Sequence, residues 1–86
     1  MAKYIVNYDL RKPGKDYEGL YKALNSYDNI HPMESCWIIK SFNSEVSIRD
    51  HLRTNIDGND KLFVSELNGW ASFNLTKAEV DWLNRS

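Results

Sequence analysis

Asp9 closes an alternating run, Lys3 to Asp9, and is followed at once by Arg11, Lys12 and Lys15. A carboxylate can ligate Mg2+ and neighbouring cations can hold phosphate oxygens, so this stretch has the residue types for metal-assisted chemistry on a phosphate ester. The competing reading of Asp9 is a turn carboxylate at a strand end, with the three cations simply solvated.

Other chemistries find less support. Cys36 is the single cysteine, and in the apolar run Cys36-Trp-Ile-Ile39 it reads as a small buried hydrophobe. His31 and His51 have no Cys or His at ligand spacing, so neither zinc nor a Cys-His nucleophile pair is indicated. Asp57-Gly-Asn-Asp60 begins like a calcium loop, but Leu62 stands where that loop needs glycine. No phosphate-cradling glycine motif and no internal repeat is present. Neither is the basic-aromatic strand element of single-stranded RNA binders.

Positioning these residues requires a fold, and the composition supports one. The 86 residues are 42% hydrophobic and 27% charged, which suits one domain, residues 1–86, with a core over 2–67 and a tail over 68–86. Eleven basic against twelve acidic side chains leave a net charge of −1, which excludes a histone-like or basic-arm binder. No apolar run approaches a membrane span and no secretory leader is legible, so a cytoplasmic location without membrane partners is expected.

The first strand puts Tyr4, Val6 and Tyr8 on one side and Ile5, Asn7 and Asp9 on the other. Arg11-Lys-Pro-Gly14 makes a loop. From about Asp16 the stripe Tyr17, Leu20, Tyr21, Leu24 and Tyr27 predicts an amphipathic helix, weakened in its first turn by Gly19. Asp28-Asn29 reads as a turn. The long β-rich run Ile30 to Phe42 should be divided by a bend or bulge near Ser35, with Pro32 on an edge strand. Ser44 caps a second helix carrying Val46, Ile48, Leu52 and Ile56, with Arg49 and Arg53 one turn apart beside them. A strand over Lys61 to Leu67 follows, then a short extended piece from Trp70 to Asn74. Thr76 and Glu79 form a capping box for a last helix through Trp82 and Leu83.

This order predicts an α+β fold: a ferredoxin-like βαββαβ unit with both helices on one face and a short C-terminal strand and helix as a tail. Tyr4, Val6 and Tyr8 would face the helices. Asp9 would then lie on an open sheet face, available to a second copy or a ligand. Trp70, Phe73 and Trp82 in the tail read mainly as internal or dimer core, and alternatively as a surface for a protein partner.

The run Lys3-Tyr-Ile-Val-Asn-Tyr-Asp9, a helix ending Leu24-Asn-Ser-Tyr27 and then Glu34-Ser-Cys-Trp37 resemble the small CRISPR-associated endoribonuclease family, which also serves as the structural dimer of the spacer-integration complex. The sequence is similar too to that family's stand-alone relatives and to virulence-associated protein D toxins. The resemblance covers about residues 2–67 and rests on Tyr8 and Asp9 at the strand end and on Ser35, Cys36 and Trp37 in a later strand. It implies a homodimer with facing sheets, in which both Asp9 side chains bind Mg2+ or Mn2+ for hydrolysis of RNA or DNA. Ser35 would be a polar residue of that cleft. Arg11, Lys12 and Lys15 would meet the nucleic acid. Departures are the Ile38 that stands at the family's strand glutamate and a first helix poor in arginine. The alternative expectation is a catalytically silent dimeric module of the same fold that binds nucleic acid or protein.

Overall fold

A computed structural model describes residues 1–12 and 16–85. Its elements are β1 (Ala2–Asp9), α1 (Glu18–Asn25), β2 (Asp28–Met33), β3 (Cys36–Ser41), α2 (Glu45–Arg53), β4 (Lys61–Glu66) and α3 (Lys77–Asn84). The strands form one antiparallel sheet in the order β2-β3-β1-β4.

Local chemistry explains most boundaries. Ser44 Oγ accepts the Ser47 amide at 3.1 Å and starts α2. Thr76 Oγ1 accepts the Glu79 amide at 3.1 Å while Glu79 Oε1 accepts the Thr76 amide at 2.9 Å, the reciprocal box that opens α3. Asp16 Oδ1 accepts the Glu18 amide at 2.9 Å, so α1 begins one turn-residue later than its apolar stripe suggests. Gly19 has a packing reason: a Cβ there would lie 2.9 Å from Asn55 Oδ1, so glycine lets α1 approach the end of α2. Pro32 is accommodated on the edge strand β2, where the register shifts between Ile30 and Met33.

Alternation along β1 and β3 separates two apolar clusters. Tyr4, Val6, Tyr8, Trp37 and Ile39 pack with Leu20 and Leu24 of α1 and Ile48 and Leu52 of α2. On the reverse face Ile38 packs with Trp82 and Leu83 of α3, joined by Ile5, Ile30, Leu67 and Leu75. β3 is consequently buried along its whole length, Lys40 included.

Three expectations are corrected here. The expected ferredoxin-like βαββαβ unit, with every core helix on one face and only a strand-and-helix tail beyond it, does not describe the molecule: α1 and α2 do share one face, but the four antiparallel strands, ordered β2-β3-β1-β4, carry three helices, and the third packs on the opposite face. Nor do residues 70–74 form a strand: that segment is an irregular connector, and Asn74 has φ 67°, which interrupts extended backbone. The physical cause is the pull of α3. Lys40 Nζ donates to the Trp82 carbonyl at 3.0 Å and lies 4.2 Å from the Trp82 ring centre, and Trp82 Nε1 donates to Asp28 Oδ1 at 2.9 Å. Burial holds the Lys40 pKa below its ordinary value, with Asp28 opposing that shift. The same contacts explain the third correction: Asp28-Asn29 is the start of β2, with Asp28 opposite Lys40, and not a turn. No helix among the described residues is long and apolar enough to cross a membrane.

Candidate functional site at the Asp9 end of the sheet

β1 and β4 run side by side with Asn7 opposite Phe63 and Asp9 opposite Lys61. Because Val6 and Tyr8 face the helices, Asn7, Asp9, Lys61 and Phe63 share the other face. α3 packs over Ile38 and Ile30 and the cluster extends to Ile5 and Leu67, so the part of that face left open is the Asp9 end of the β1–β4 pair. Phe63 is 65% exposed there, and an open groove of about 650 Å³ runs past Asn7, Asp9, Asp60, Lys61 and Phe63.

Asp9 Oδ2 accepts from Arg11 Nη1 at 2.7 Å, with both side chains 53% exposed. Lys12 Nζ lies 3.6 Å from Asp57 Oδ2. The structure therefore brings Asp9, Arg11 and Lys12 to one end of the sheet and adds Lys61, which sequence reasoning had not assigned to the site. Ser35 lies in the β2–β3 turn at the same end, where its carbonyl accepts the Tyr8 amide at 3.2 Å. Lys15 lies outside the described residues.

Behind the site, Trp37 Nε1 donates to Tyr8 Oη at 3.0 Å, and Tyr8 Oη donates to the Glu34 carbonyl at 3.2 Å. His31 stacks on Trp37 with ring centres 4.0 Å apart. Burial pushes the Tyr8 phenol above its ordinary pKa, partly offset by the Trp37 bond, so it stays protonated as a structural donor at neutral pH. Cys36 is buried, as its apolar run suggested, and that burial raises its thiol pKa.

Asp60 organises the loop. Its Oδ1 accepts the Arg11 amide at 2.7 Å and the Tyr17 hydroxyl at 2.9 Å, and its Oδ2 accepts the Asp57 amide at 2.8 Å. Burial, and then the Asp60 contact, raises the Tyr17 pKa, so the phenol remains a donor to this carboxylate. One side chain thus ties the segment after β1, the start of α1 and the turn before β4. Beyond rejecting a calcium loop there, sequence reasoning gave residues 57–60 no part in the site. The turn composition was the available signal, but a partner 49 residues away leaves no local trace. Asp60→Ala is expected to lower unfolding stability by about 2 kcal/mol, since hydrogen bonds to charged acceptors contribute more than neutral ones. Urea melts would measure it, together with faster amide exchange at Arg11; unchanged exchange there would refute the tethering role.

Among the described residues no three His, Cys, Asp or Glu side chains converge as a metal-binding group. Asp9 alone suits Mg2+ only if a second carboxylate and substrate phosphate oxygens complete the shell, and if Arg11 releases Oδ2. No protein-family model matches the sequence.

Proposed function

We propose that the protein is a cytoplasmic homodimeric, metal-dependent phosphodiesterase acting on RNA or DNA, related to the CRISPR-associated small endoribonucleases and their stand-alone relatives. The observation that carries this reading is the placement of Asp9: a half-exposed carboxylate on the open sheet face, flanked by Arg11 and by Lys61 across the strand pair. Asp9 of each copy would hold Mg2+ or Mn2+, which when bound polarises the scissile phosphate and acidifies a water. Arg11 and Lys12 bind the phosphodiester backbone, and Arg11, on leaving Asp9, neutralises charge developing on the phosphate. Phe63, large and exposed beside Asp9, provides apolar area for the second copy.

A second reading, a binding module without catalysis, is favoured by one observation: Arg11 already neutralises Asp9 at 2.7 Å. Labelled single- and double-stranded RNA and DNA incubated with Mg2+ or Mn2+ separate the two. The enzyme reading expects divalent-dependent cleavage whose specific rate climbs with protein concentration until dimers saturate. Retention of strands without cleavage would leave the binding module. Neither cleavage nor retention would end both.

A further inference from the structure

We propose that α2 carries a phosphate-contact pocket in which Arg49 and Arg53 hold backbone phosphates of the same single nucleic-acid strand that reaches Asp9. This rests on the phosphodiester reading above and extends it to the far side of the turn at residues 57–60.

The pocket, about 460 Å³, is lined by Arg49, Arg53, Ile56, Gly58, Asp60 and Leu62, with Asp57 in its wall. Arg49 and Arg53 share one flank of α2 because one helical turn separates them. Guanidinium forks match phosphate oxygens, and Ile56 with Leu62 offers an apolar floor for a sugar or base. The acidic residues nearby are committed elsewhere. Asp60 accepts from Arg11, Tyr17 and Asp57, and Asp57 faces Lys12. Arg49 pairs at 2.9 Å with its sequence neighbour Asp50, but both side chains are about half exposed, and such a pair is readily exchanged for phosphate. The Arg53 side chain makes no hydrogen bond or ion pair among the described residues; its carbonyl accepts the Ile56 amide at 3.4 Å.

A route connects this pocket to Asp9. Gly58 lines it and also lines a neighbouring pocket of about 380 Å³, whose other walls include Arg11, Lys12 and Asn59. A Cβ at Gly58 would meet nothing within 4 Å, so the ridge between the pockets is low and open. A single strand can bend over it, passing from Arg53 and Arg49 to Lys12 and Arg11 and so to Asp9. A stiff duplex would not follow so tight a path, and the overall charge of −1 gives duplex binding little long-range support.

The test measures binding of a fluorescein-labelled single-stranded oligouridine, and of its deoxythymidine counterpart, by anisotropy across a salt series. The Arg49→Gln/Arg53→Gln double variant keeps good helix formers and is expected to melt like the parent. Its slope of log affinity against log salt should be shallower by about 1.4, as for two lost single-strand phosphate contacts, and its low-salt affinity lower by about tenfold or more. Gly58→Leu, which blocks the ridge without changing charge, should also weaken binding. If both variants bind like the parent while Arg11→Gln/Lys12→Gln flattens the slope, the strand does not visit α2 and the inference is overturned, with the Asp9 site intact. If the parent binds neither oligonucleotide, the phosphodiester reading itself fails and takes this inference with it.

Discussion

Asp9→Asn is expected to reduce divalent-dependent cleavage about a hundredfold or more while leaving the fold intact. Asn is nearly isosteric, and its carbonyl can still accept from Arg11, so β1 should end as before. The exposed ion pair it replaces contributes at most about 1 kcal/mol to stability. Its catalytic cost is larger because, of the two carboxylates along the groove, Asp60 is engaged by the Arg11 amide, the Tyr17 hydroxyl and the Asp57 amide, which leaves Asp9 to anchor the cation beside the scissile phosphate. Removing a single well-placed electrostatic contact of that kind costs roughly 10² to 10³ in rate. Binding should move the other way: deleting a negative charge beside Lys61 and Arg11 removes repulsion from the phosphates, so the variant should hold a non-cleaved strand at least as tightly as the parent. Arg11→Gln supplies the converse. It releases Asp9 Oδ2 and should lower the metal concentration needed for half-maximal rate, even as the maximal rate falls. Cleavage equal in Asp9→Asn and parent would assign the activity to a contaminant.

How much of this was visible in the letters depended on how local the cause was. The face assignment of β1 followed from alternation, because burial of Tyr4, Val6 and Tyr8 needs only a pleated strand and helices to cover it. Ser44 and the Thr76–Glu79 box announced their helices because a cap and its amide are three residues apart. Asp9, Arg11 and Lys12 meet because they are neighbours in sequence. What sequence reasoning missed was long-range. Asp60 reaches Arg11 and Tyr17 across the domain, and Lys61 joins Asp9 only through strand register. The side on which α3 docks was also illegible: Lys40 looks like an ordinary polar strand end, and only the Trp82 carbonyl and ring account for its burial. That contact decides how much of the reverse sheet face remains for a second copy.

Trp82→Ala should therefore undock α3 and leave the rest of the domain folded. Truncating a buried tryptophan costs about 3 to 5 kcal/mol, and here Trp82 is 5% exposed and also donates to Asp28. A chain of this length has a total stability of only about 4 to 13 kcal/mol, so a loss of that size must show. Where it shows follows from the two clusters. Trp82 and Leu83 pack on Ile38 on one side of the sheet, whereas Leu20, Leu24, Ile48 and Leu52 pack on the other, so the larger cluster keeps its contacts when α3 leaves. α3 itself spans eight residues, too few to stay helical once its docking surface is gone. The expected result is amide exchange over residues 77–84 approaching that of free peptide, with β1 and β3 still protected. Undocking would also uncover Ile5, Ile38 and the about 490 Å³ apolar groove beneath the connector, so dye binding should rise. Trp82→Phe keeps most of the ring area and loses the bond to Asp28, and should cost only about 1 kcal/mol. If residues 77–84 in Trp82→Ala exchange as slowly as β1, the helix is held by something other than this tryptophan. In the opposite case, the freed sheet face makes Trp82→Ala the variant in which a second copy finds the widest surface, and sedimentation should then show more dimer than in the parent.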